Sequence, residues 1–202
     1  KSVFKAINNI NNKISETIIG MEVSNQADID EAMILMDGTD NKENLGANSI
    51  LAVSMAVAHA ASNSQKKNLF QYLNPKGPYS LPTPMMNIIN GGAHADNNID
   101  IQEFMIIPSG RPSFSEAVRC GVEVFQSLKS NLSKKKLSTT VGDEGGFAPN
   151  IESNEAALQF IMEAIESAGY KPGVDVFLGL DCASTEYYKN NKYHLNSENL
   201  VL

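Results

Sequence analysis

A stretch rich in proline and glycine divides this sequence into two parts with different patterns. Residues 74–84 contain four prolines and one glycine. Residues of this kind at this density interrupt helices and strands. We therefore expect a domain boundary here, with residues 1–74 forming the helical remainder of one domain and residues 81–202 belonging to a second.

The part before the boundary predicts three helices. Apolar residues recur every three or four positions from Phe4 to Ile18, which is the period of one helix face. A second helix is expected over Gln26–Met36, ending at Asp37-Gly38. A third is expected over residues 45–62. It is apolar nearly all round, which predicts that it packs on several sides.

The part after the boundary alternates between strand and helix patterns. Apolar runs predict strands at Met85–Ile89, Ile99–Ile107 and Val176–Leu180. A Ser-x-x-Glu capping box at Ser113 predicts a helix between the second and third strands, and Asn154–Ala168 predicts another. The order strand, strand, helix, helix, strand indicates an α/β fold. The continuous apolar strands predict a sheet covered on both faces.

Composition excludes several classes of protein. The chain has 202 residues, 42% of them hydrophobic, and a formal net charge of −7, which is typical of a soluble globular protein. No basic face dominates, which argues against a nucleic-acid partner. The longest nearly apolar run, Ile50–Ala61, is too short to cross a bilayer, and the first residues lack the charged-then-apolar pattern expected of a signal segment. Cys120 and Cys182 form no disulfide framework, so a reducing cytoplasm is the simplest location.

One polar segment follows the first apolar run, and a second lies within the next run. The Gly91-Gly92 pair directly after the first strand allows close backbone approach, and His94 follows it among small residues. This segment predicts either a plain surface loop or a ligand-contacting one. The pair Gln102-Glu103 lies within the second predicted strand, where a buried carboxylate needs a partner or a function. In a regular strand these two side chains point to opposite faces.

Two further acidic positions follow. Asp143 and Glu144 stand between glycines, which predicts a loop that is a simple turn, a metal site or an acid–base site. Asp181 closes the third strand, at the end that faces the active site in α/β barrels. Cys182 is expected to pack on the opposite face. His59 and His194 are expected to be structural or exposed.

Taken together, these segments resemble the enolase (phosphopyruvate hydratase) family, in a form that looks bacterial. The resemblance covers the whole chain and rests on long motifs in order: residues 45–51, 84–98, 101–105, 141–150 and 180–184. It implies a smaller α+β capping domain followed by a TIM-like α/β barrel that opens with two strands and two helices. Residues 1–74 would then be the helical part of the capping domain, and residues 81–202 the first part of the barrel.

The resemblance also implies an activity, a cofactor and site residues. Enolases are lyases of glycolysis that convert 2-phosphoglycerate reversibly to phosphoenolpyruvate with Mg²⁺. By resemblance, Glu144 is the general acid that assists the leaving hydroxide, and Asp181 is a carboxylate ligand of Mg²⁺. His94, Gln102 and Glu103 match substrate-binding residues. The family further implies a homo-oligomer, dimeric or octameric, a cytoplasmic location and, in some organisms, a cell-surface or secreted form.

The matched motifs do not include every residue of the family's site. The first residue is Lys1 rather than Met, and the family's serine loop, its Lys base, two further Mg²⁺ carboxylates and its phosphate-binding Arg and Ser are not among these residues. We therefore expect an internal fragment of a complete enolase. The alternative is a truncated, non-catalytic chain that acts as a binding protein. A different enolase-superfamily activity is disfavoured by the Gly-Asp-Glu-Gly-Gly and Gly-Gly-Ala-His motifs.

Overall fold

The computed structural model describes residues 3–202. They belong to two compact units, of which the first ends at Tyr79 and the second is Ser80–Leu202. The first unit consists of helices: α1 Phe4–Asn9, a π-helical turn Ile10–Ile14, α2 Ser15–Ile18, α3 Gln26–Asp37, α4 Ala47–Ser64 and α5 Leu69–Leu73. The second unit contains β1 Met86–Asn90, β2 Glu103–Ile107, α6 Phe114–Lys134, α7 Asn154–Ser167, β3 Phe177–Asp181, β4 Tyr188–Lys189, β5 Lys192–Leu195 and β6 Leu200–Val201.

The first unit has a small apolar core. Its buried members come from the π-helical turn, α3, α4 and the loop before α4: Ile14, Ile29, Met33, Leu45 and Val53. The predicted helices are confirmed. The expectation that the third one packs on several sides is wrong for the described residues, because Leu51 and Met55 of α4 are more than half exposed. One face of α4 therefore carries its packing.

The second unit is built on an antiparallel sheet with the order β1-β2-β3. Helices α6 and α7 cover one face, where they bury Phe104 and Ile106 of β2. On the other face Met105 and Ile107 stay partly exposed, and Phe177 of β3, which pairs with Ile107, is 45% exposed. The prediction of a sheet covered on both faces is therefore wrong for the residues described.

Strand β2 is shorter than the sequence predicted. It begins at Glu103 rather than Ile99, because residues 99–102 leave the sheet to meet the loop that follows β1. There the carbonyl oxygens of Ile99 and Gln102 accept hydrogen bonds from Gly92 and Gly91, at 2.8 and 2.9 Å. The other two strands of this sheet lie within one residue of their predicted positions.

Local sequence sets the start of both long helices of this unit. The Ser113 hydroxyl accepts a hydrogen bond from the Glu116 amide at 3.2 Å, and Ser153 does the same for Ala156 at 3.0 Å. Both serines therefore act as N-caps. The Glu116 carboxylate pairs with Arg119 rather than returning to the cap, so only the serine half of the predicted capping box forms.

Candidate active site

Strand register brings two acidic side chains to one end of the sheet. Glu103 lies opposite Asn90 of β1 on one side and opposite Asp181 of β3 on the other. Directly paired residues of neighbouring strands project from the same face. The Glu103 and Asp181 side chains therefore share a face at this edge, on the side that α6 and α7 do not cover.

The loop after β1 carries His94 and is held by backbone contacts. A Cβ atom on Gly91 would lie 2.4 Å from the carbonyl oxygen of Ile101, so only glycine fits. This is the close backbone approach that the glycine pair predicted. Asn97 closes the loop by donating hydrogen bonds to the carbonyl oxygens of Asn90 and Pro149, at 2.9 and 3.1 Å.

The Gly142–Gly146 segment forms a tight hairpin. The Gly142 amide donates to the Gly146 carbonyl at 2.9 Å, which leaves Asp143, Glu144 and Gly145 at the tip. The hairpin rests on the free edge of β1 through Phe147, whose amide donates to Ile88 and whose carbonyl accepts from Asn90, both at 2.9 Å. This loop thus has a fixed shape, which the sequence left open.

A hydrogen bond also joins the hairpin to the His94 loop. The Asp143 amide donates to the carbonyl oxygen of His94 at 3.0 Å. Directly after the hairpin, the Phe147 ring stacks on Phe125 of α6 with ring centroids 4.2 Å apart. The two loops that carry the predicted histidine and acids are therefore attached to each other and to the core.

Three of the predicted site residues converge. Ligand atoms of His94, Glu103 and Glu144 all lie within 4.8 Å of one another. The His94 Nδ1 atom lies 3.5 Å from Glu103 Oε1, and the two side chains are 23% and 17% exposed. Glu144 is exposed. The arrangement places an acid accessible to solvent beside a partly shielded imidazole–carboxylate pair.

The other two predicted residues lie beside this cluster. Asp181 ends β3, is exposed, and its Oδ1 atom accepts a hydrogen bond from the Ala183 amide at 3.0 Å. Gln102 is partly buried in the bend before β2. Because the strand begins only at Glu103, the expectation of opposite faces for Gln102 and Glu103 does not apply.

Residues of this region that the sequence interpretation overlooked are mainly asparagines. Asn90 is fully buried at the base of the hairpin. Asn98 exchanges two hydrogen bonds with the backbone of Ile151, and Asn154 accepts one from the Ile101 amide. The density of asparagine at 97–98 was the available signal, because this side chain mimics backbone groups in loops.

Shifted pKa values occur where α6 meets the segment after α7. A hydrogen bond to Glu123, together with burial, raises the pKa of Tyr170 to about 12. The bond from Tyr170, together with Arg119, lowers the pKa of Glu123. Burial raises the pKa of the Cys120 thiol, so this cysteine stays protonated and packs in the core. Cys182 is exposed, and the expectation that it packs is wrong.

Two family models match the chain. The model described as the enolase N-terminal domain matches residues 1–73, and the enolase C-terminal TIM barrel domain matches residues 78–201. The chain belongs to the enolase family. Its sheet with flanking helices is accordingly part of an α/β barrel of the enolase type. Membership assigns an enolase-type lyase function in general terms.

Enolases are generally Mg²⁺-dependent, and the donor set here fits a hard cation in part. Glu103, Glu144 and Asp181 offer carboxylate oxygens at one end of the sheet, the ligand type Mg²⁺ prefers. His94 offers nitrogen, which suits Mg²⁺ less well.

Among residues 3–202, no helix has both the length and the apolar character needed to span a bilayer.

Proposed function

We propose that this chain provides part of the active site of a glycolytic enolase, which dehydrates 2-phosphoglycerate reversibly to phosphoenolpyruvate. The observation that carries the proposal is the convergence of His94, Glu103 and Glu144 within 4.8 Å in a chain of the enolase family. The proposal includes Mg²⁺ dependence, a cytoplasmic location and a homo-oligomer, dimeric or octameric as in the family.

The reaction places distinct demands on the two reacting carbons. Removing the proton from C2 leaves a second negative charge next to the substrate carboxylate, and the C3 hydroxyl must leave as water. Mg²⁺, when bound, offsets the charge on that carboxylate. The proposal assigns residues of this chain to the leaving-group side and to the metal, and none of them to the base at C2.

Glu144 is the proposed general acid. Its position at the tip of a hairpin fixed to both β1 and the His94 loop gives the carboxyl group a defined place. Its exposure allows it to regain a proton from water after each turnover. A positioned acid of this kind contributes about 10²–10⁴ in rate.

The remaining residues orient substrate and metal. Glu103 Oε1 lies 3.5 Å from His94 Nδ1, and these two side chains border the space beside Glu144. Gln102, in the bend directly before Glu103, is assigned to substrate binding by the family resemblance alone. Asp181 would supply one carboxylate ligand of Mg²⁺.

The test uses the full-length enzyme and follows the ultraviolet absorbance of the enol product. Glu144→Gln keeps the shape of the side chain but cannot donate a carboxyl proton, so kcat should fall by about 10²–10⁴ with KM nearly unchanged. Asp181→Asn should raise the Mg²⁺ concentration needed for half-maximal rate. Asp143→Asn, the neighbouring exposed acid on the same hairpin tip, is the matched control and should retain turnover.

The outcomes separate the alternatives. Unchanged kcat in Glu144→Gln would remove Glu144 from the role of acid, and an unaltered Mg²⁺ titration would remove Asp181 as a ligand. Absence of turnover by the unsubstituted protein at saturating Mg²⁺ would contradict the proposal as a whole. That result would favour the non-catalytic binding role.

A further inference from the structure

The Asn90 side chain is fully buried between the elements that carry the proposed site. Its backbone amide and carbonyl are already bonded to Phe147 and Asn97. Its side-chain Oδ1 atom accepts a hydrogen bond from Asn87 Nδ2 at 2.7 Å. Its Nδ2 atom is shielded from solvent and has no hydrogen-bond partner among the described residues.

A β-bulge makes the contact between the two asparagines possible. Residues three positions apart in a regular strand point to opposite faces. In β1 the register shifts between Asn87 and Ile89, so that one extra residue is inserted against β2. The bulge therefore turns Asn87 and Asn90 to the same face, where the Asn87 amide fixes the orientation of the Asn90 amide.

The Asn90 amide lies directly under the hairpin that carries Glu144. A Cβ atom on Gly142 would lie 2.9 Å from Asn90 Nδ2, and one on Gly146 would lie 2.3 Å from Asn90 Oδ1. Both ends of the hairpin thus rest on this one planar group. The glycines are required here because any side chain would displace the hairpin from it.

This arrangement is a poor one for stability alone. A buried donor without an acceptor is costly, and a leucine of the same shape would bury no polar atom. Residues that lower the stability of the fold are expected at functional sites. The destabilising residue, Asn90, lies opposite Glu103 in the sheet and directly under the hairpin that carries Glu144.

We propose that Asn90 is a positioning residue, which sets the height and angle of the Glu144 hairpin relative to His94 and Glu103. The inference rests on the proposed function and adds a residue to it. Asn90 acts through the hairpin and not on the substrate. Displacement of an acid by about 1 Å can lower the rate by about a hundredfold, so the effect should be large.

The test compares substitutions in the full-length enzyme. Asn90→Leu keeps the volume but removes the planar amide, and kcat should fall by about tenfold or more while KM changes by less than about threefold. Hydrogen exchange of the Asp143 amide, which is bonded to His94, should become faster. Asn9→Ala is the matched control, because Asn9 is also a buried asparagine, bonded to the Leu45 carbonyl at 2.7 Å in the other unit. It should lower stability and leave kcat unchanged.

A second variant keeps the test decisive if Asn90→Leu does not fold. Asn87→Leu removes the donor that orients Asn90, while Asn87 itself remains partly buried. It should lower kcat in the same direction by a smaller factor. A kcat within about twofold of the unsubstituted enzyme in the folded variants would overturn the inference, as would an equal loss in Asn9→Ala. Lack of turnover in the unsubstituted enzyme would instead contradict the proposed function, and this inference with it.

Discussion

The two units keep their longer helices in place by different means. In the Ser80–Leu202 unit, Ser113 and Ser153 cap α6 and α7 from within three residues of the chain. In the Lys1–Tyr79 unit, neither α3 nor α4 has a side-chain cap. There Asp37, at the end of α3, accepts the Leu45 amide at 2.7 Å and thereby fixes the loop that leads into α4.

The two units also differ in the size of their apolar cores. The second unit buries a continuous cluster drawn from its three-stranded sheet, both long helices and the Phe147 segment. Among the described residues, the core cluster of the first unit has five buried members. The comparison teaches that the second unit is specified by local caps and a large core. The first depends more on single buried polar contacts between segments distant in sequence.

The largest expected effect is a core deletion in the second unit. Phe104→Ala should destabilise this unit by about 3–5 kcal/mol, because Phe104 is fully buried between the sheet and the helices. Met33→Ala, at a fully buried position of the first unit, should cost about 2–5 kcal/mol. Urea unfolding of the chain, followed by hydrogen exchange of each unit, measures both. Met33→Leu, which conserves volume, is the control. A cost for Met33→Ala above that of Phe104→Ala would reverse the comparison of the two cores.

A smaller effect is expected from Asp37, and it should depend on pH. Burial alone would raise the pKa of Asp37, but hydrogen bonds from the Thr39 side chain and from the amides of Leu45 and Thr39 lower it overall. A depressed pKa in the folded state adds stability above the unfolded value of about 3.9, and this stability is lost as pH falls through the folded value.

Asp37→Asn should therefore destabilise the first unit near neutral pH and flatten its acid-induced loss of stability below about pH 4. Unfolding midpoints between about pH 7 and about pH 3 test this. Asp40→Asn, at an exposed acid three residues later, should leave the profile unchanged. An unaltered profile in Asp37→Asn would show that the contact to Leu45 does not stabilise this unit.

The smallest effect is expected at the caps. Ser113→Ala and Ser153→Ala should each cost about 1 kcal/mol in the second unit, because each leaves a helix N-terminal amide without its acceptor. Ser115→Ala, at an exposed position inside α6, is the control and should be neutral or slightly stabilising. Equal unfolding midpoints for Ser113→Ala and Ser115→Ala would mean that the local cap is not a source of stability.

The sequence predicted the elements better than their contacts. Local sequence patterns located α3, α6 and α7 within a few residues, and apolar runs located β1 and β3. The start of β2 was placed four residues too early, because Ile99 and Ile101 are apolar for another reason: they pack in and against the core of the second unit without belonging to the strand. Composition alone cannot separate a strand from an apolar loop segment held by backbone hydrogen bonds.

In the candidate site, too, the sequence predicted the residues better than their contacts. The glycine motifs, the acidic pair and the strand-end aspartate could all be found by their residue types. The role of Asn90 could not, because its partners are Asn87 across a bulge and two glycines more than 50 residues away.

The sequence by itself determined the α/β order, the helix start at Ser113, and the motifs that place the chain among the enolases. These features depend on neighbours within a few residues, where periodicity and capping operate. Only the tertiary structure decided that His94, Glu103 and Glu144 converge and that one buried amide supports the acidic hairpin. Strand register and close backbone packing join residues far apart in the chain, and no local preference encodes those distances.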